Sequence, residues 1–231
     1  MDYIRDGLLK AFQLILQGDP ETYSAIWVTL QVSTCAMTVS LAVGLPLGFV
    51  LGHFNFPCKK AVRTIVDTLQ ALPTVFIGLL VYTLLSRRGP LGELGLLFTL
   101  PAIAIGQTIL AVPVVAALSA TAVESLDQRL RITLLTLGAG PWQLLLTVLR
   151  EARYGLLAAG VNAYGRVLTE VGISMLVGGN IKWHTRTITT AIALETGKGR
   201  FDMGIALGLV LLTLAFGVNL SLFFLRKRVG P

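Results

Sequence analysis

The chain has 231 residues, 54% of them hydrophobic and only 13% charged, with a formal net charge of +7. A soluble domain carries about 25% charged residues, so there is too little polar surface here to clothe a water-soluble globule. The two cysteines, Cys35 and Cys58, have no partner spacing for a metal or a redox pair, which excludes a disulfide framework.

At the N-terminus, Asp2, Arg5, Asp6 and Lys10 interrupt any apolar core, so the segment does not read as a signal peptide. Ile4, Leu8, Phe12 and Ile15 recur at helical spacing and predict an amphipathic helix on the membrane surface within residues 1–22. The stretches Ser24 to Gly52, Thr68 to Ser86, Leu96 to Val123 and Met203 to Leu225 contain no charged residue. A bilayer span needs roughly 20 apolar residues in a helix. A further apolar stretch, Tyr154 to Gly179, is interrupted by Arg166 and Glu170. The reading is an all-α integral membrane fold of about five transmembrane helices, with spans near 24–53, 66–86, 96–123, 154–179 and 203–225. These lie in one transmembrane domain over 23–226, followed by a basic tail at 227–231.

Five spans put the termini on opposite sides. Lys and Arg concentrate in the cytoplasm, and the cluster Arg226-Lys227-Arg228 after the last span orients the chain N-out and C-in. Two connections are then long, the inner one over 124–153 and the outer one over 180–202, and function concentrates in such connections. Gly44, Gly48 and Gly52 share one face of the first span, and Gly204 with Gly208 repeats the step on the last. Close helix packing is the favoured role, with pore lining as the alternative.

In the inner connection, Leu134, Leu135 and Leu137 precede Gly138-Ala139-Gly140-Pro141, and Trp142 with a leucine-rich run follows. The break divides the connection into two helical pieces, the first too short to span. A short apolar helix exposed to the cytoplasm needs a partner to cover it; an ordinary amphipathic connector is the plainer alternative. This run resembles the EAA loop of the type I importer permeases of the ABC transporter superfamily. Gly138 and Ala139 match the family pattern, whereas Ile132-Thr133-Leu134 replaces Glu-Ala-Ala, and Arg150-Glu151 stands where a proline falls. The resemblance covers about Ile26 to Arg226. The stretches Thr169-Glu170-Val171-Gly172, Val177-Gly178-Gly179-Asn180-Ile181 and Thr185 to Thr196 are similar to the tungstate-specific branch, close to the molybdate and sulfate importers. The resemblance implies a MetI-like bundle whose inner loop docks, as a coupling helix, into an ATPase subunit through Leu134, Leu135, Leu137, Gly138, Ala139, Gly140, Pro141 and Trp142.

A dianion crossing a bilayer needs hydroxyl and N–H donors, some positive charge and no deep trap. Lys182, Thr185, Arg186, Thr187, Thr189 and Thr190 offer such donors, with Gly178, Gly179 and Asn180 ahead of them. Two readings stand for this segment: passage or gating of an oxyanion, or an outer loop that contacts an extracytoplasmic partner. Arg166 and Glu170, at i and i+4, form the only ionisable pair well inside a predicted span. They are expected to share a helix face, either facing the permeant or as a structural ion pair.

No catalytic set is present. Thr196-Gly197-Lys198-Gly199 lacks the upstream glycine and the Ser or Thr of a phosphate loop, and His53 and His184 suggest no metal site. With no cofactor expected in this chain, ATP is expected to be bound and hydrolysed by a separate ATPase dimer. Two copies of the chain would line one path in a homodimer embedded in lipid, loaded by an extracytoplasmic substrate-binding protein in a bacterial or archaeal plasma membrane. No nucleic-acid partner is expected. The rival readings are an ion-coupled secondary transporter, which would show internal repeats, and a non-transporting membrane scaffold.

Overall fold

The computed structural model describes the backbone of residues 2–229 and the side chains of 3–127, 129–130 and 132–220. The side chains of the basic cluster at 226–228, and residues 230–231, lie outside the described residues. Every regular element among the described residues is helical: α1 (Asp2–Leu16), α2 (Pro20–His53), α3 (Lys59–Leu69), α4 (Thr74–Leu85), α5 (Leu100–Glu124), α6 (Gln128–Thr136), α7 (Pro141–Leu168), α8 (Gly172–Gly178), α9 (Ile188–Gly197) and α10 (Phe201–Val229), with one 3-10 turn at Gly92–Leu94.

Three of these, α2, α5 and α10, are long and apolar enough to cross a membrane. The stretch Thr68 to Ser86 is not one straight helix. It is the outer part of a pair, α3 and α4, that meets at 91°. Pro73 explains the elbow: it has no N–H to continue a helix and disfavours the α conformation at Leu72. The charged turn Arg150–Arg153 is the inner portion of α7, whose 28 residues extend about 42 Å. The helix stops at Leu168, and the short α8 follows after Thr169–Val171.

α5 is the central post. Against it α2 runs parallel, because contacts rise together along both helices. Thr108 Oγ1 is 3.4 Å from the Ala36 carbonyl, and Gly44, Gly48 and Gly52 lie against Val115, Ala116 and Val123 in turn. The small-residue stripe is therefore a packing seam. α7 runs antiparallel to α5: Val148 and Ala152 cluster with Val123, Gly155 rests on Ala122, and Val167 reaches Ile103. On another side of α5, Ile77, Val81, Ile173 and Val177 bring α4 and α8 together.

The outer connection is not an open loop. Its second half folds as α9, which packs into a core with Ala25, Ile188, Ala191, Leu207 and Val210. α1 packs on the start of α10: Gly7 abuts Ile205, Lys10 pairs with Asp202, and the rings of Tyr3 and Phe201 meet edge to face at 5.9 Å. Gly7 and Ala11 are the buried positions of α1, whereas Ile4, Leu8 and Phe12 point away from the bundle and are exposed.

Candidate translocation path and coupling surface

The inner connection builds a foot. α6 starts at Asp127, whose carboxylate accepts from the Arg129 N–H at 2.8 Å, and ends at Leu137. Gly138 follows at φ +79°, a conformation that favours glycine. Ala139 N–H returns to the Leu134 carbonyl at 3.0 Å. Gln143 Oε1 accepts from the Gly140 N–H at 2.9 Å and Pro141 takes the first turn of α7, where its missing N–H costs nothing. The turn thus carries Leu137 and Trp142 at its tip, 77% and 72% exposed, and leaves Ile132 and Leu135 exposed beside them. Leu134 is half-buried. Between the foot and the inner ends of α2 and α5 lies an open groove of about 1240 Å³, lined among others by His53, Phe54, Leu126, Leu130, Trp142 and Leu145.

Behind the foot, α3 is pinned to the end of α5. Lys59 Nζ is 3.5 Å from a Glu124 carboxylate oxygen, and Arg63 donates to Thr121 Oγ1 at 2.7 Å and to Asp67 at 3.1 Å.

The hydroxyl-rich outer segment is occupied in holding its own fold. Thr185 Oγ1 donates to the Gly178 carbonyl at 2.5 Å and accepts from the Ile181 N–H at 3.1 Å, closing a loop. Thr187 caps α9 in a reciprocal pair with Thr190, whose Oγ1 accepts from Thr187 N–H at 3.0 Å. Thr189 Oγ1 donates to the Glu170 carbonyl at 2.8 Å, and the Ile188 N–H donates to Thr29 Oγ1 on α2 at 3.0 Å. All five of these threonines are buried.

Arg186 donates to Asn180 Oδ1 at 3.1 Å and pairs with Glu21 at the start of α2. Lys182 reaches the other Glu21 oxygen at 2.6 Å. Gly178 and Gly179 do not present N–H groups to a permeant. The Gly179 N–H donates to the Met175 carbonyl at 3.1 Å, Gly179 and Asn180 both take positive φ, and a Cβ on Gly178 would come within 2.6 Å of Ile103. Here the chain reverses direction at the outer end of the bundle, and its donors are spent on that reversal. The Thr196–Gly199 stretch is likewise a helix end, with Lys198 bonded to Glu195 at 3.0 Å and Gly199 at φ +77°.

Arg166 and Glu170 do not pair, contrary to their i, i+4 spacing. The physical reason is the end of α7 at Leu168, which turns Glu170 out of helical register. Glu170 is 6% exposed, and its Oε1 accepts from the Ile173 N–H at 3.1 Å, capping α8. That cap puts a carboxylate where the helix dipole favours one. Arg166 points elsewhere: it is exposed on the protomer surface and donates through Nη2 to the Gln70 carbonyl at 2.9 Å. Gln70 is the residue that ends α3, at the 91° elbow. Asn162 and Thr169 are exposed on the same face of α7, one turn to either side of Arg166. Neither spacing nor composition revealed Gln70 as the partner, because the contact joins residues 96 apart in the chain.

Residues 44–231 match the family described as binding-protein-dependent transport system inner membrane component. The chain is 46% identical to a tungstate uptake system permease protein of Campylobacter jejuni, over 95% of this chain and 92% of that protein. It is 38% identical to a protein of the same description from Peptoclostridium acidaminophilum, over 98% and 100%. It is also 46% identical to a probable anion ABC transporter permease protein of Haloferax volcanii, over 83% and 85%. Among solved structures, an inward-facing MetNI methionine ABC transporter superposes with a TM-score of 0.73 at 19% identity, over 92% of this chain and 99% of that one. A bacterial alginate ABC transporter does so with 0.74 at 21%, over 96% and 87%. At such identities the likeness is one of fold. Multi-pass helical architecture, an exposed apolar foot and the family match over most of its length agree: the chain belongs to the inner membrane components of binding-protein-dependent transport systems.

Proposed function

We propose that this chain is the permease subunit of an ATP-driven importer of an oxyanion, with tungstate as its substrate. The observation that carries the reading is the foot at Leu135–Trp142, apolar and exposed where the bundle itself has no use for it. An apolar patch of this kind on the cytoplasmic side is energetically costly in water and marks a docking surface. Its occupant in this reading is the ATPase subunit, one on each copy of the chain.

The membrane-crossing helices of one copy enclose too little space for a gated path, so two copies form a C2 dimer around it. A substrate-loaded binding protein docks outside, where Glu21, Lys182, Arg186, Glu195 and Arg200 rim an open pocket of about 350 Å³. Closure of the ATPase pair is transmitted through the two feet to α5 and α7, which carry the inner ends of the path, and access alternates. The N-terminus is outside and the C-terminus in the cytoplasm of a bacterial or archaeal inner membrane. Tungstate is supported by the permeases of that description at 38–46% identity.

The test is reconstitution of the permease with its ATPase and binding protein in vesicles, comparing tungstate, molybdate and sulfate for stimulated ATP hydrolysis and uptake. Stimulation by tungstate at the lowest concentration is expected. Stimulation led by molybdate or sulfate reassigns the substrate, and none by any of the three discards the oxyanion reading.

A further inference from the structure

We infer that Arg166 is a transit station for the permeating dianion, held ready by the carbonyl of Gln70 and not by an acid. The inference rests on the oxyanion-importer reading above.

Arg166 lies thirteen residues beyond Arg153 on α7, which is about 20 Å along the axis, well within a hydrocarbon layer of about 30 Å. A guanidinium stays charged at any physiological pH. At that depth it costs at least about 2.5 kcal/mol against lipid even on the most lenient scale. Such a charge is tolerated when it faces a partner acid, backbone carbonyls or water, and the one carbonyl it reaches satisfies a single donor of its five. Among the described residues no ion pair involves Arg166, and Glu170 is buried on the far side of the helix break. Asn162 and Thr169 extend the same exposed face, giving a polar strip where lipid contact would demand apolar residues. The strip therefore faces the aqueous path, which in the dimer is shared by two copies. Two guanidinium groups then meet one dianion, with equal and opposite charge.

Such a pair could hold the ion too tightly to release it, and conduction requires sites that bind without trapping. The structure supplies the competitor. With no residue of a continuing helix to donate to it, the Gln70 carbonyl is one of the unsatisfied acceptors at a helix C-terminus, and it takes its hydrogen bond from Arg166 at 2.9 Å. An arriving oxyanion has to share or displace that bond, and a departing one is replaced by it at once. One of five guanidinium N–H donors is engaged in this way, leaving the others to face the path.

The experiment uses the assembled transporter in vesicles, with Cys35→Ser and Cys58→Ser to remove the two native thiols and Asn162→Cys as the probe. Labelling rates are measured with an anionic and a cationic water-soluble thiol reagent of equal size. The anionic reagent is expected to react about tenfold faster, the lower end of what a cleft of one charge sign achieves, and tungstate is expected to slow it. Adding Arg166→Gln, which keeps a donor for the Gln70 carbonyl but removes the charge, is expected to erase the preference. Arg166→Lys is expected to keep it. No labelling by either reagent, equal rates in the parent, or a preference that survives Arg166→Gln overturns the station. These outcomes read charge and water access, so they are distinct from a failure of tungstate to stimulate ATP hydrolysis in the same vesicles, which strikes the substrate reading instead.

Discussion

A methyl group added at Gly48 would lie 2.4 Å from the Ala116 carbonyl oxygen and 2.6 Å from Cβ of Ser119, well inside van der Waals contact. Both obstacles belong to backbone or to a short side chain, so α2 and α5 must separate to admit it. Gly48→Ala is expected to destabilise the bundle by about 1–3 kcal/mol, the usual cost of overpacking, read as a lower melting temperature in detergent. Gly208, with nothing within 4 Å, provides the contrast: Gly208→Ala should stay within about 0.5 kcal/mol. Thr187 tests the role of the hydroxyl cluster in the same way. It is the N-cap of α9, and Thr187→Ala is expected to cost about 1 kcal/mol of stability, because its oxygen serves the Thr190 N–H.

Among the elements, the foot and the elbow have opposite local logic. The foot has good helix capping and a glycine turn but leaves its apolar side chains uncovered. The elbow is broken by Pro73 and repaired from a distance by Arg166. Trp142 is 72% exposed at the tip of the foot and anchors neither α6 nor the bundle core. Trp142→Ala should therefore leave folding intact and weaken ATPase association by about thirtyfold, equivalent to roughly 2 kcal/mol for a buried interface aromatic. Co-purification or a binding titration against the ATPase measures this, and unchanged affinity would remove Trp142 from the docking surface. α1 shows why an amphipathic pattern does not by itself name the face that is buried. Its small residues Gly7 and Ala11 meet α10, because only small side chains allow that close approach, and the larger Ile4, Leu8 and Phe12 are left exposed.

For the whole molecule, the decisive property is sidedness. Every assignment of inside and outside depends on the direction of α5, which α2 follows and α7 opposes. In a background lacking Cys35 and Cys58, Thr136→Cys on the foot should be labelled only from the cytoplasm, and Leu94→Cys only from outside. Labelling of the foot from outside would invert the topology and with it the docking of an ATPase.

Long uncharged runs, charge poverty and the Gly-Ala-Gly-Pro break made the membrane helices and the foot legible in the sequence, because they depend on composition and local conformation. The glycine stripe of α2 was legible as packing for the same reason, since any close helix partner demands small residues. What tertiary structure alone decided is which partner each polar group serves. The i, i+4 spacing of Arg166 and Glu170 suggested a pair, but α7 ends between them, so one caps α8 and the other reaches a carbonyl 96 residues away. By composition the threonines of the outer segment suit either a permeant or an outer loop that contacts a partner; in the fold they serve the α9 cap and loop closure. Hydrogen bonds within a turn follow from nearby residues, whereas those between helices depend on packing angles that no local pattern encodes.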